Sequence, residues 1–482
     1  MIDVLSLDFD NSEEGNIDNM SEEGNIDNMP EEGNIDNMSV VFENLQPHED
    51  VQELNIFYFA GFKFPSWFSN SSILTNLVKL RLENCKNTTE LPALGNLVAL
   101  EDLEITSLSS VKHIGTQFCG FGQSAFPKLK KLQILGMFEL VEWELPISTD
   151  ARTIMPCLQE MELKDCPMLK ALPGLGRLES LESLEIWGLT SIVRVGLEFW
   201  GISADEFGGS SIEEIVNGEE LIQEQEKVRT SCSRKPLILF PRLTELRIGG
   251  MEEWEEWIMP PFQEDGQIIV MPCLRQLHFE KCPKLEGILP DLLVRFKSLE
   301  ILELRGLEKC EDREDISLPC LRELEIRDCG FHVIPRFLFP HTLRKLVIYD
   351  CKNLRGMQPC LPPLLEKLEL WYDVGVLSES LPIGDSHNYL NLRSFKIKFS
   401  KHPSLPKGFN HLTATQYLKF NECESLDFDL NELKHLTMLQ SLSIYKCRIL
   451  AKRFQSSGDD YWMSILSHVP NISIDYENIR ES

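Results

Sequence analysis

One spacing constrains this chain more than any other property. The pattern apolar-x-x-Leu-x-[Leu/Ile/Phe]-x-x-[Cys/small/apolar] recurs along almost its whole length. Its first positions are Ile2, Val51, Leu77, Leu100, Leu129, Leu158, Leu181, Leu243, Leu274, Leu299, Leu321, Leu343, Leu365, Leu392, Thr415 and Leu439. Most of these units follow one another at a short, nearly constant interval. A unit that short can bury its apolar side only against a neighbouring copy, so the pattern demands a stacked array.

A period of roughly 20–29 residues with L-x-x-L-x-L is the leucine-rich repeat signature. Each unit supplies one short strand whose spaced Leu and Ile residues point inward and whose intervening residues point outward. The fold class expected is an α/β solenoid. It is a leucine-rich repeat horseshoe with a parallel sheet on the concave face and irregular or short helical convex segments. The Leu-Pro pairs at Leu91, Leu172, Leu289 and Leu405 favour extended pieces over helices. Helical turns are expected at Asn410–Thr415 and Asn431–Leu436. Cys85, Cys166, Cys282, Cys329, Cys351, Cys423 and Cys447 occupy the last position of the pattern, where cysteine serves as a small buried hydrophobe.

Two intervals are too long. Between Ile2 and Val51 lie three near-identical acidic nonamers, Ser12–Met20, Ser21–Met29 and Pro30–Met38, and their removal restores the usual spacing. Such a tract has little apolar area to offset ordering entropy and is expected to be disordered. The step from Leu181 to Leu243 is more than twice the usual one. A duplicated module explains it. Cys85, Leu91-Pro92, Leu94-Gly95, Ile105, Gly115 and Phe118 recur at one fixed offset as Cys166, Leu172-Pro173, Leu175-Gly176, Ile186, Gly196 and Phe199. Phe126-Pro127, Leu132, Met137 and Trp143 recur at a larger fixed offset as Phe240-Pro241, Leu246, Met251 and Trp257. The difference between the two offsets is an insertion within Gly201–Pro236. The expected organisation is a first repeat strand in 1–11, the acidic insertion in 12–38, repeats in 39–200, a polar loop in 201–236, and repeats with a C-terminal cap in 237–482.

Net charge is −29, of which residues 1–50 contribute −15 without a single Lys or Arg. That balance argues against nucleic acid as a partner. The start carries no basic segment followed by an apolar one, so no secretory signal is expected. No stretch approaches the roughly 18 apolar residues of a membrane span. The 14 cysteines include no Cys-x-x-Cys, which disfavours zinc, and their scatter suits reduced thiols in the cytoplasm or nucleus.

The details are more specific than a generic repeat. Val51–Ile105 reads VQELNIFYFAGFKFPSW…LVKLRLENCKNTTELPALGNLVALEDLEI, preceded by ENLQPH. VKHIGTQFCG, FPKLKKL, MFELVEWE, MPCLQEMELKDCPMLKALPGLG and FPRLTELRIGGMEEWEEW follow, with HVPNISIDYENIR near the end. This closely resembles the repeat region of plant coiled-coil, nucleotide-binding, leucine-rich repeat disease resistance proteins. The resemblance implies an intracellular immune receptor whose repeats recognise a pathogen effector or a host guard protein. It also implies that the repeats restrain a nucleotide-binding domain, in cis or in trans. In the full-length family ADP/ATP binds through that domain, but this chain has no G-x-x-x-x-G-K-[ST] loop and no Met-His-Asp motif. No cofactor is therefore expected here, and a truncated receptor or a decoy without signalling activity is the alternative reading. A ubiquitin-ligase substrate receptor would need a helical adaptor, which residues 1–50 do not suggest.

No catalytic or metal constellation emerges. Gly120–Ala125 matches G-x-G-x-x-A but Phe126-Pro127 follows it, where a dinucleotide site needs a helix. There is no H-E-x-x-H and no G-x-S-x-G. The candidate residues are instead those that alternation aims outward. Trp187, Tyr349, Trp371 and Tyr445 are aromatic on an otherwise polar face, and Arg305, Arg327, Lys396, Lys398 and Lys419 turn its far end basic. Aromatic residues with one wet edge often anchor protein interfaces.

Overall fold

The computed structural model describes residues 4–9, 32–70, 72–147, 152–202, 236–260, 268–285, 289–383, 391–456, 459–475 and 477–480. The chain forms two compact units, Met1–Cys273 and Leu274–Ser482.

In the first unit eight five-residue strands make a parallel sheet. They are β1 (Val4–Asp8), β2 (Glu53–Phe57), β3 (Lys79–Glu83), β4 (Asp102–Thr106), β5 (Lys131–Leu135), β6 (Glu160–Lys164), β7 (Ser183–Trp187) and β8 (Glu245–Gly249). Neighbours pair residue for residue. The second unit continues the same plan with β9 (Gln276–Glu280), β10 (Ile301–Arg305), β11 (Glu323–Arg327), β12 (Lys345–Tyr349), β13 (Lys367–Trp371), β14 (Ser394–Lys398), β15 (Tyr417–Asn421) and β16 (Ser441–Tyr445). Every one of these strands begins two residues after the first apolar position read from the sequence. In β3, Leu80 and Leu82 are fully buried while Lys79, Arg81 and Glu83 face outward, as two-residue alternation requires.

Each strand from β2 onward ends in a left-handed residue, for example Asn84 at φ 57° or Tyr372 at φ 61°. In most repeats its N–H donates to the end of the next strand, Asn84 to the Thr106 carbonyl at 2.9 Å and Tyr372 to that of Lys398 at 2.8 Å, while Lys446 donates to the Asp475 carboxylate at 2.6 Å. The chain then turns inward, and the cysteine two residues past the strand is buried. Its thiol donates to the carbonyl of the last strand residue, Cys85 to Glu83 at 3.6 Å and Cys351 to Tyr349 at 3.3 Å. Burial pushes the Cys85 and Cys166 thiols up to about 12 and that of Cys351 to about 11. These are neutral, packed side chains, as the repeat position implies.

The return segments differ. In the first unit His113–Ile114 pairs with Glu142–Trp143, and Arg194–Val195 pairs with Glu256–Trp257. The second pair is the copy of the first, so the module duplicated in sequence is duplicated in structure. Four buried residues before proline, Phe126, Met155, Phe240 and Met271, are also left-handed and bond to the neighbouring return segment. Short 3-10 turns occur on the return side of both units, and those at Phe409–His411 and Leu430–Leu433 fall where helical turns were expected.

Several elements depart from the sequence reading. Helix α1 (Glu32–Asn44) contains residues 32–38 of the acidic tract. It leads into Phe42, which is fully buried against Phe59, Trp67 and Phe9, and this burial anchors the helix end. The rest of the nonamers lies outside the described residues, as does almost all of the 201–236 insertion that was expected to be a polar loop. Leu289-Pro290 opens a short helix, Leu289–Leu293, since proline is tolerated in a first turn. A seventeenth parallel strand, β17 (Asn471–Ile474), follows two helices, Arg448–Ser456 and Asp459–Leu466. It repeats the inward pattern with Ile472 and Ile474 in place of leucine. The antiparallel strand β18 (Glu477–Arg480) covers its edge.

Candidate protein-binding face

Register places the candidate residues of the second unit in two outward rows. Tyr349, Trp371, Lys398, Asn421 and Tyr445 are successive neighbours in one. Val347, Glu369, Lys396, Lys419 and Ser443 are successive neighbours in the other.

Trp371 is the centre. Its ring lies 5.7 Å from that of Tyr349, and the Lys398 ammonium sits 3.6 Å from its centroid. Its indole N–H donates to Glu369 at 3.1 Å. Glu369, with a side chain only 13% exposed, also accepts from Lys396 at 2.8 Å and faces Lys398 at 3.9 Å. Burial opposes ionisation of Glu369, but the Lys396 hydrogen bond and charge outweigh it and hold the carboxyl below its ordinary range. Burial lowers the Lys398 ammonium; Glu369 offsets part of that, and the charges of Lys396 and Lys419 lower it further.

Two aromatic residues that alternation did not select complete the cluster. Tyr372 packs 4.9 Å from Tyr349 and stacks on Phe399 at 4.7 Å and 14°. A hydrogen bond with Tyr372, and burial, raise the Tyr349 phenol. Beside them opens a groove of about 650 Å³ lined by Asp350, Asp373, Glu379, Lys401 and His402. Arg327 stands 5.5 Å over the other side of Tyr349 and is ion-paired to Glu325.

The remaining candidates are not part of this cluster. Arg305 is bound by Glu280 at 2.6 Å and Asp328 at 3.4 Å. Tyr445 is separated from Lys398 by Asn421 and lies 5.0 Å from the Lys446 ammonium. Trp187 belongs to the first unit, where its ring fills the space that a Cβ at Gly249 would need, 2.2 Å away. Among the described residues, no group of three or more His, Cys, Asp or Glu could hold a metal ion, and no helix is long and apolar enough to cross a membrane.

The family model R13L1/DRL21 LRRs matches residues 1–108. "Probable disease resistance protein RF45" of Arabidopsis thaliana is 33% identical over 236 residues, 48% of this chain and 20% of that protein. "Disease resistance protein RGA2" of Solanum bulbocastanum is 32% identical over 147 residues, 29% of this chain and 15% of that protein. The chain is a leucine-rich repeat region related to plant disease resistance proteins. It covers at most 20% of the length of these two relatives. Among solved structures, the functional domain of InlJ from Listeria monocytogenes aligns over 75% of this chain and 64% of its own, at 12% identity and a TM-score of 0.30.

In this leucine-rich repeat region the missed residues share one position. Tyr372 and Phe399 are the left-handed residues that follow β13 and β14. Gly136, Gly188, Gly250 and Gly306 hold that place in other repeats, as do Asn84 and Asp165. An aromatic residue at a position that favours Gly, Asn and Asp is a readable signal.

Proposed function

We propose that this chain is the protein-recognition and autoinhibitory repeat region of an intracellular, cytoplasmic plant immune receptor. It acts in defence by binding a pathogen effector or a host guard protein. The observation that carries the reading is the aromatic cluster of half-buried Tyr349, Trp371 and Phe399 with exposed Tyr372 at an outward face, set among lysines. Kinship with disease resistance proteins supports the biological setting. The restrained element is a nucleotide-binding domain, and any ADP or ATP is bound there and not by these repeats.

A two-hybrid screen of the intact chain against pathogen-secreted and host proteins tests recognition. The reading expects a partner whose binding is lost in Tyr349→Ala/Trp371→Ala, with the circular dichroism spectrum unchanged. Undiminished binding by the folded double variant overturns it. Co-precipitation with a separate nucleotide-binding domain at low salt tests the inhibitory role, and absence of association there removes that half of the proposal.

A further inference from the structure

The outward positions of β12–β16 have an unusual charge balance. Lysine stands at 345, 367, 396, 398 and 419, while Glu369 is the single carboxylate. Lys345 is tied to Glu323 at 2.8 Å, and Lys396 and Lys398 share Glu369. Lys367 and Lys419 hold no ion pair among the described residues. Lys419 stands directly opposite Lys396 across the ladder, a like-charge pairing that weakens a sheet. The next outward residues, Asn421, Ser443 and Tyr445, bring no carboxylate to relieve it.

Repulsive pairs on one face of an otherwise acidic chain are retained at a cost that a partner's negative charge removes. We infer that the partner presents a carboxylate-rich peptide segment, with Asp or Glu beside a large apolar side chain, to β12–β16. The apolar group packs on Tyr349 and Tyr372 and against the edge of Trp371, and the carboxylates reach Lys419, Lys396 and Lys367. A single-stranded nucleic acid also suits lysines and aromatic rings. However, Lys398 already sits over the Trp371 ring at 3.6 Å, so that face is closed to base stacking. This inference rests on the reading that this face binds protein.

The test pans a random dodecapeptide phage library against the intact chain and measures the selected peptides by fluorescence anisotropy. Enriched peptides should pair Asp or Glu with an aromatic or aliphatic residue. Their affinity should fall about tenfold in Lys367→Gln/Lys419→Gln, whose side chains support no internal ion pair, and should fall with added salt. Peptides that are basic or uncharged, with affinity unmoved by the lysine changes, overturn the inference. If such peptides still lose binding in Trp371→Ala, the face binds protein but not carboxylates. If neither variant matters, both readings fail. Tighter binding of an oligothymidylate than of any selected peptide also overturns it.

Discussion

In residues 1–273 five of the six tryptophans are buried, whereas in residues 274–482 Trp371 joins two tyrosines in a cluster at the outward face. Trp67, Trp143, Trp200, Trp254 and Trp257 of the first unit are all buried, and Trp200 and Trp257 stack at 5.8 Å and 17°. Paired short strands on the return side frame them. In the second unit the only ladder of that kind among the described residues is the single bridge Ser380↔Lys407, and Trp371, Tyr349 and Tyr372 lie on or beside the outward face. Charge divides similarly. The outward positions of β1–β8 carry nine carboxylates and five basic residues, against one and five in β12–β16. One repeat plan thus supports two uses of large side chains. One thickens a core; the other dresses a surface.

The largest effect that sharpens this contrast is on stability. Trp200→Ala removes a fully buried ring and its hydrogen bond to the Ile258 carbonyl at 2.8 Å. It should cost about 3–5 kcal/mol. Amide hydrogen exchange should show protection lost mainly in residues 79–270, whereas equal loss in residues 274–482 would contradict a core specific to the first unit.

How much of this was legible in the sequence follows from side-chain size and period. The inward leucines repeat with a fixed spacing, so every strand from β1 to β16 could be located from Leu80-x-Leu82 and its equivalents. Alternation does not select Tyr372 and Phe399 because they lie one residue beyond the strand, where backbone turning sets direction. Helix α1 was missed since its polar start reads like the nonamers before it, and only Phe42 ties it to the core. β17 was overlooked as a repeat because isoleucine stands at 472, where the pattern asks for leucine. The contacts of Lys398 and Glu369 needed the register of β13 on β14.

A second, smaller difference concerns the cysteines. Two repeat-position thiols, Cys85 and Cys166, lie in the first unit; Cys282, Cys329, Cys351, Cys423 and Cys447 lie in the second. Below pH 9.0 the Cys85 and Cys351 thiols are protonated in both folded and unfolded chains. Above it the unfolded thiols ionise while burial keeps Cys85 protonated to about 12 and Cys351 to about 11. The unfolded state then binds fewer protons, so stability falls as pH rises, by at most about 1.4 kcal/mol per thiol per pH unit. Urea midpoints measured from about pH 8.5 to about pH 10.5 should decline. The decline should be shallower in Cys329→Ala/Cys351→Ala than in Cys85→Ala; slopes matching the parent chain in both would break the account.

The smallest effect is electrostatic. Glu369→Gln leaves Lys396 and Lys398 without their shared carboxylate, beside the like charge of Lys419. It should lower stability by about 1 kcal/mol or less, and more at low salt than at high salt. A thermal midpoint that does not respond to salt would argue against repulsion among those lysines.

The central claim is that the outward face of the second unit, not that of the first, meets the partner. Its most direct test compares two tryptophan variants against one partner selected by the intact chain. Trp371→Ala should abolish measurable binding in isothermal titration calorimetry, while Trp187→Ala, which removes the half-buried ring over Gly249, should leave it intact. Loss of binding in Trp187→Ala with retention in Trp371→Ala would contradict the account.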